Sequence, residues 1–296
     1  MHLSWIDYAI VLVYVGGTII AGTLARGAIK GISDFLVAGR GLKTHMAVAT
    51  MVSTGLGLVT VMYMAEEGFK YGFVPFVFGI MALITALIIG RTGFIVSRLR
   101  HLQVMTVPEF YEMKYTRGVR LLGGIILTLA GTLNMGLFPI LGSKFVVGFT
   151  GLDKEYVNYV MVAMLIIVVF YTLMGGMVSV VLTDYIQFII LFSSVVLTTY
   201  FAIDHVGYAP LVDNVQTQYG EGGFNPLINE DMGWTFVIWL SIGALFSGMW
   251  PPALSRALST TDSETTRKMY GFIGLSFLGR ALLPMMWGIA AFAYFQ

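Results

Sequence analysis

Of the ionisable side chains in the apolar runs, Arg91 and Lys144 lie near enough to the ends to snorkel, and Asp184 and Arg280 lie deeper, where a charge needs a purpose. Asp184 stands about two turns into the run 178–202, and Arg280 lies roughly a dozen residues from either end of the run 269–295. In hydrocarbon such groups pair with one another, face a water-filled cavity, or mark an ion or solute path. Two further runs are interrupted by small residues. One holds Ser53-Thr54-Gly55-Leu56-Gly57, and the other holds Gly243-Ala244-Leu245-Phe246-Ser247-Gly248 ahead of Pro251-Pro252. A helix broken at midplane frees backbone carbonyls that hold a cation without burying a second charge. The same small residues also suit plain close packing of helices. The chemistry on offer is therefore ion and solute binding. There is no nucleophile–base pair and no metal-ligand spacing, and the absence of cysteine removes thiolate and disulfide chemistry. The sequence reads as a protein that is not an enzyme and needs no cofactor.

The elements that position these residues follow from composition. Hydrophobic residues make up 57% of the 296 and charged ones only 11%, against about 25% charged in soluble domains. The bilayer must act as solvent for that surplus, which predicts an all-α membrane protein. About eight runs are long enough to cross roughly 30 Å of hydrocarbon: 6–24, 45–64, 73–96, 121–149, 156–173, 178–202, 234–254 and 269–295. The first has no basic segment before it and is read as a retained helix. Twelve Lys and Arg fall in the loops after the first, third and seventh runs, and only Lys70 and Lys154 in the alternate loops. The positive-inside rule then places the N-terminus outside a cell membrane that the chain crosses several times. Gly175-Gly176 predicts a tight helical corner between the fifth and sixth runs. Residues 204–233 read as an exterior loop. No basic tract suggests nucleic acid; the expected partners are membrane lipid and a small-molecule solute.

Four strings resemble motifs of the sodium/solute symporter family. Asp34-Phe35-Leu36-Val37-Ala38-Gly39-Arg40 is similar to its aspartate-aromatic-Leu-x-Ala-Gly-Arg. Thr106-Val107-Pro108-Glu109-Phe110, followed by Lys114 and Tyr115, resembles its "TxPEF…RY" with lysine for arginine. Gly175, Gly176, Ser179, Val180, Thr183, Asp184 and Gln187 match its "GGxxAVxxTDxxQ" except at Ser179. Arg256-Ala257-Leu258 with Glu264, Thr265 and Arg267 looks loosely like its "QRxLAAK…A".

The resemblance implies a LeuT-type fold: a peripheral first helix and loop (1–43), a complete five-helix first repeat (44–203), the exterior loop (204–233), and the start of an incomplete second repeat (234–296). It implies sodium as the coupling ion, held by backbone carbonyls at Ser53 and Leu56, with the family's aspartate at Asp184 on the sodium route or at a second site. It places the solute beside Gly55, Thr60, Phe246, Phe277 and Arg280. Where sugar carriers of the family use Asn, Gln, Glu or Tyr, this chain has Gly55, Val59, Thr60, Gly243 and Phe246. Each unpaired sugar hydroxyl would cost roughly 1–3 kcal/mol, so a sugar is disfavoured. Arg280, if it lines the pocket, favours a carboxylate; its other expected partner is Asp184. The expectation is a solute:sodium symporter working by alternating access. Two alternatives stay open: a structural or degenerate membrane subunit of a larger complex, and half of a split transporter completed by a second polypeptide.

Overall fold

The computed structural model describes residues 4–295. Every apolar run named above is helical, and the described residues hold no strand beyond an isolated bridge. Helix α1 spans Trp5–Leu24 and α2 spans Ile32–Val37. The second apolar run forms two helices, α3 (Thr44–Gly55) and α4 (Leu58–Tyr71), bent by 59° at the break between them. Next come α5 (Phe76–Thr92), the short α6 (Val96–His101) and α7 (Val107–Lys114), and the 34-residue α8 (Arg117–Thr150). The fifth and sixth runs form one 50-residue element, α9 (Val157–Val206), split by non-helical backbone at Gly176. The chain ends with α10 (Tyr208–Tyr219), α11 (Gly233–Ser247), α12 (Pro251–Ser259) and α13 (Ser263–Phe295).

Among the described residues five helices are long and apolar enough to cross a membrane, six when the bent pair α3–α4 counts as one span. The expected eight are not confirmed by length alone: α5 has only 17 residues, and of α9 the stretch Thr172–Val206 is the part that counts as a span. A second difference concerns 204–233. This segment is not simply a loop: Tyr208–Tyr219 is helical, with Leu211 and Val215 fully buried against Met285 and Ile289 of α13. Leucine and valine four residues apart put one apolar face on an otherwise polar helix.

Three of the sequence motifs turn out to be caps and corners. Thr106 accepts from the Glu109 amide at 3.3 Å, and the Glu109 carboxylate accepts from the Met105 amide at 2.7 Å, which opens α7 with a near capping box. Ala38, Gly39 and Arg40 all take positive φ and turn the chain out of α2. At the α9 corner Gly176 has φ 48°, and a Cβ there would lie 2.6 Å from the Phe35 carbonyl oxygen of α2. Only glycine serves there.

The core centres on α13. Met269, Tyr270 and Ile273 pack with Met51, Val52, Ala86, Ile89 and Leu254. Asp262 caps the start of this helix; the Thr265 amide donates to it at 2.8 Å and holds its carboxyl at about 2, below the ordinary carboxylate range. In contrast, none of the apolar window of α8 is buried, and Leu121, Leu129 and Leu133 are left for lipid or further protein to cover. Helices α4 and α13 cross at glycine: a Cβ on Gly288 would sit 1.8 Å from the Ala65 carbonyl oxygen, and one on Gly68 would sit 2.3 Å from that of Met285.

Gly288→Ala is expected to lower stability by about 3 kcal/mol, the upper end of overpacking costs, whereas Gly17→Ala, where a methyl meets nothing within 4 Å, leaves it unchanged. Thermal unfolding of the detergent-solubilised variants checks this; equal melting of the two would refute the α4–α13 contact.

Candidate functional site

The α3–α4 break is built by Leu56 and Gly57. Leu56 leaves helical geometry at φ −103°, ψ 66°, and Gly57 is extended at φ −96°, ψ 167°. The last turn of α3 closes with the Leu56 amide donating to Val52 O at 2.9 Å, and α4 begins with the Val61 amide donating to Gly57 O at 3.1 Å. The final carbonyls of α3 therefore lose their ordinary helical partners. Gly55 O is satisfied from outside the helix by Thr60 Oγ1 at 3.2 Å and by Arg280 Nη1 at 2.9 Å. Carbonyls at a helix C-terminus carry the negative end of its dipole, so this end of α3 favours a cation.

Arg280 reaches the break from the middle of α13, with its guanidinium over the Phe277 ring at 4.8 Å. Both residues line a cavity of about 170 Å³ between α3, α5, α12 and α13, together with Thr54, Gly55 and Trp250. The Tyr270 hydroxyl is spent on Gly248 O at 2.9 Å. Among the described residues Arg280 has no acid partner; the four ion pairs lie elsewhere. The cavity is thus mainly apolar with one guanidinium.

Asp184 does not pair with Arg280. Its Oδ2 accepts from Arg256 Nη2 at 3.0 Å, from Thr54 Oγ1 at 3.4 Å and, by a short contact, from Thr50 Oγ1. Arg256 also donates from Nε to Thr50 Oγ1 at 3.3 Å and from Nη1 to Pro252 O at 3.0 Å. Ser53 Oγ donates to the Asp184 carbonyl at 2.7 Å. Both charged residues are buried, so every polar atom at this joint of α3, α9 and α12 matters.

The structure brings together Ser53 and Asp184 on one side of α3, and Gly55, Thr60, Phe277 and Arg280 at its end. Leu56 is buried at the break itself. Phe246 is the exception: it is 57% exposed on α11 and does not line the cavity. Sequence reading missed Arg256, which counted as a loop cation after the seventh run. The signal was Pro251-Pro252: the chain breaks at 248–250 and restarts as α12, carrying Arg256 one turn in.

A model of the family described as "Sodium:solute symporter family" matches residues 35–293. The sodium/glucose cotransporter of Vibrio parahaemolyticus is 23% identical over 214 residues, covering 69% of this chain and 38% of that one. Sodium-coupled monocarboxylate transporter 1 of Xenopus laevis is 25% identical over 209 residues, covering 70% and 30%. A solved structure of a Na+-coupled sialic acid symporter, substrate-bound and outward-open, shares the fold with a TM-score of 0.82 at 18% identity, covering 99% of this chain and 61% of that one. The chain thus spans under two fifths of the length of these curated relatives.

Removing one member of the Asp184–Arg256 pair strands the other as a buried charge. Arg256→Ala and Asp184→Ala are each expected to cost about 3 kcal/mol, and the double variant to recover much of that loss. Melting temperatures across the four-protein cycle decide the point; additive losses would mean the pair is not coupled.

Proposed function

We propose that this chain, which belongs to the sodium:solute symporter family, serves sodium-coupled secondary transport of a small carboxylate-bearing solute by alternating access. The observation that carries the solute class is Arg280. A guanidinium at this depth, facing an apolar cavity and without a resident acid, is costly unless its ligand brings the anion. Gly55, Thr60 and Phe277 complete the wall around it. A cavity of about 170 Å³ is close to the roughly 150 Å³ that encloses benzene. The solute is therefore compact: a short aliphatic or single-ring carboxylate fits, and a sugar with many hydroxyls finds too few partners. The names of two relatives, a monocarboxylate transporter and a sialic acid symporter, agree with an acidic solute.

Sodium is assigned to the C-terminal end of α3, on the carbonyls of Ser53 and Leu56. Asp184 stands beside that end through its bond with Ser53, on the ion's route rather than as its sole ligand. The remaining oxygens come from a segment outside the described residues, on the same polypeptide or on a second one. The protein crosses the membrane several times; the excess of basic residues in alternate loops supports a cell-membrane location with the N-terminus outside.

Purified protein reconstituted in liposomes tests the reading. An inward sodium gradient is expected to drive uptake of labelled propionate, butyrate or benzoate, and Arg280→Gln to lower it more than about tenfold. The matching amides should not compete. Undiminished carboxylate uptake by Arg280→Gln would refute the solute assignment. A folded protein that moves no carboxylate with sodium would instead favour a structural subunit.

A further inference from the structure

Arg280 occupies a place where a different cation is expected. The negative end of the α3 dipole lies at Gly55–Leu56, and broken helices of this kind hold coupling ions on their half-helix C-terminal ends. The guanidinium donates at 2.9 Å to Gly55 O, the last carbonyl of α3. Gly55 permits that approach, since a Cβ there would lie 2.8 Å from Nη1. Of the buried guanidiniums, Arg256 has an acid of its own in Asp184, and Arg100 is held by the Thr260 and Thr261 carbonyls at the far end of α12. Among the described residues Arg280 is balanced only by carbonyl dipole and the Phe277 ring face.

We propose that Arg280 is a tethered competitor of sodium that an anionic solute releases. With the cavity empty, the guanidinium holds the end of α3. A carboxylate entering the cavity draws the guanidinium off Gly55 O and neutralises it, and the freed end accepts sodium. This deepens the reading above and rests on its sodium coupling. Two cations at one half-helix end repel each other, so each weakens the other's binding. An anion that removes one of them strengthens the second. Solute and sodium then bind cooperatively although neither touches the other, and linkage requires the same factor in both directions. An uncharged isostere fills the cavity without moving the guanidinium and has no such effect. The motion required is a swing of a flexible side chain and leaves α13 in place.

The test is a sodium titration of the purified protein, read by tryptophan fluorescence because Trp250 lines the cavity. It is run alone, with saturating propionate, butyrate or benzoate, and with the corresponding amides. In the unmodified protein a carboxylate is expected to tighten sodium about tenfold, sodium to tighten the carboxylate by the same factor, and the amides to do nothing. Arg280→Gln should bind sodium without carboxylate as tightly as the unmodified protein does with it, and show no further response. Gly55→Ala keeps the charge, but its methyl would lie 2.8 Å from Nη1 and crowd the guanidinium off Gly55 O. Sodium should tighten without carboxylate there too, and the carboxylate should still bind; this variant carries the test if Arg280→Gln does not fold. Unchanged or weaker sodium binding in either folded variant overturns the proposal. So does sodium binding in the unmodified protein that ignores all three carboxylates, an outcome that leaves sodium coupling itself standing. No sodium binding at all overturns both.

Discussion

Backbone in hydrocarbon must satisfy its own polar groups, because no water is present to do it. An unbroken helix meets that demand automatically. The α3–α4 segment does not: it bends by 59° and releases the last carbonyls of α3. Each of those oxygens must then be met by something that is not a helix amide, and the surrounding structure is arranged around that need. Thr60 reaches back from the start of α4, and Arg280 reaches across from α13. Ser53, one turn before the break, bonds to the main chain of Asp184 and so ties the end of α3 to α9. The break is thus a deliberate deficit of hydrogen-bond donors at one end of one helix.

The charges nearby sort themselves by the same accounting. Among the described residues Arg100, Arg256 and Asp184 are buried, and Arg280 reaches the break from the middle of α13. Asp184 pairs with Arg256, with Thr50 and Pro252 O filling the remaining donor and acceptor positions. A buried pair of this kind gains little over a well-packed apolar contact, yet losing one partner is expensive. It fixes where α12 sits against α3 and α9. The isolated bridge between Leu42 and Thr260, and the bonds from Arg100 to the Thr260 and Thr261 carbonyls, secure the far end of α12. With Asp184 committed to Arg256, Arg280 is left with the Gly55 carbonyl and the Phe277 ring face.

Much of this was legible because it is written in periodicity and in residue type. Apolar runs gave the helices, Gly175-Gly176 gave the corner, and Ser53–Gly57 gave the break. Arg280 announced itself by depth. What stayed hidden needs orientation or distant contacts. Helix α11 is apolar all round, with Trp234, Phe236, Trp239 and Phe246 on several sides, so no pattern tells which face meets the cavity; Phe246 in fact points away from it. The Asp184–Arg256 pair joins residues 72 apart in sequence, and only the restart of the helix at Pro251 hints that Arg256 leaves the loop. Helix α10 is short and mostly polar, and its two buried residues are too sparse to outweigh the surrounding Gly, Asn and Asp.

The packing of α13 decides which parts of the site are free to move. Its glycine contacts with α4 leave no room for sliding: backbone meets backbone at Gly68 and Gly288, and the Met285 and Ile289 side chains are fully enclosed. Tightly packed helices shift between discrete arrangements and do not deform smoothly. A signal between solute and ion therefore cannot travel by a small glide of α13. The Arg280 side chain is long, lines the cavity beside the break and is held there by Gly55 O and the Phe277 ring. The packing of α13 against α4 thus fixes the anchor point from which the Arg280 guanidinium reaches Gly55 O.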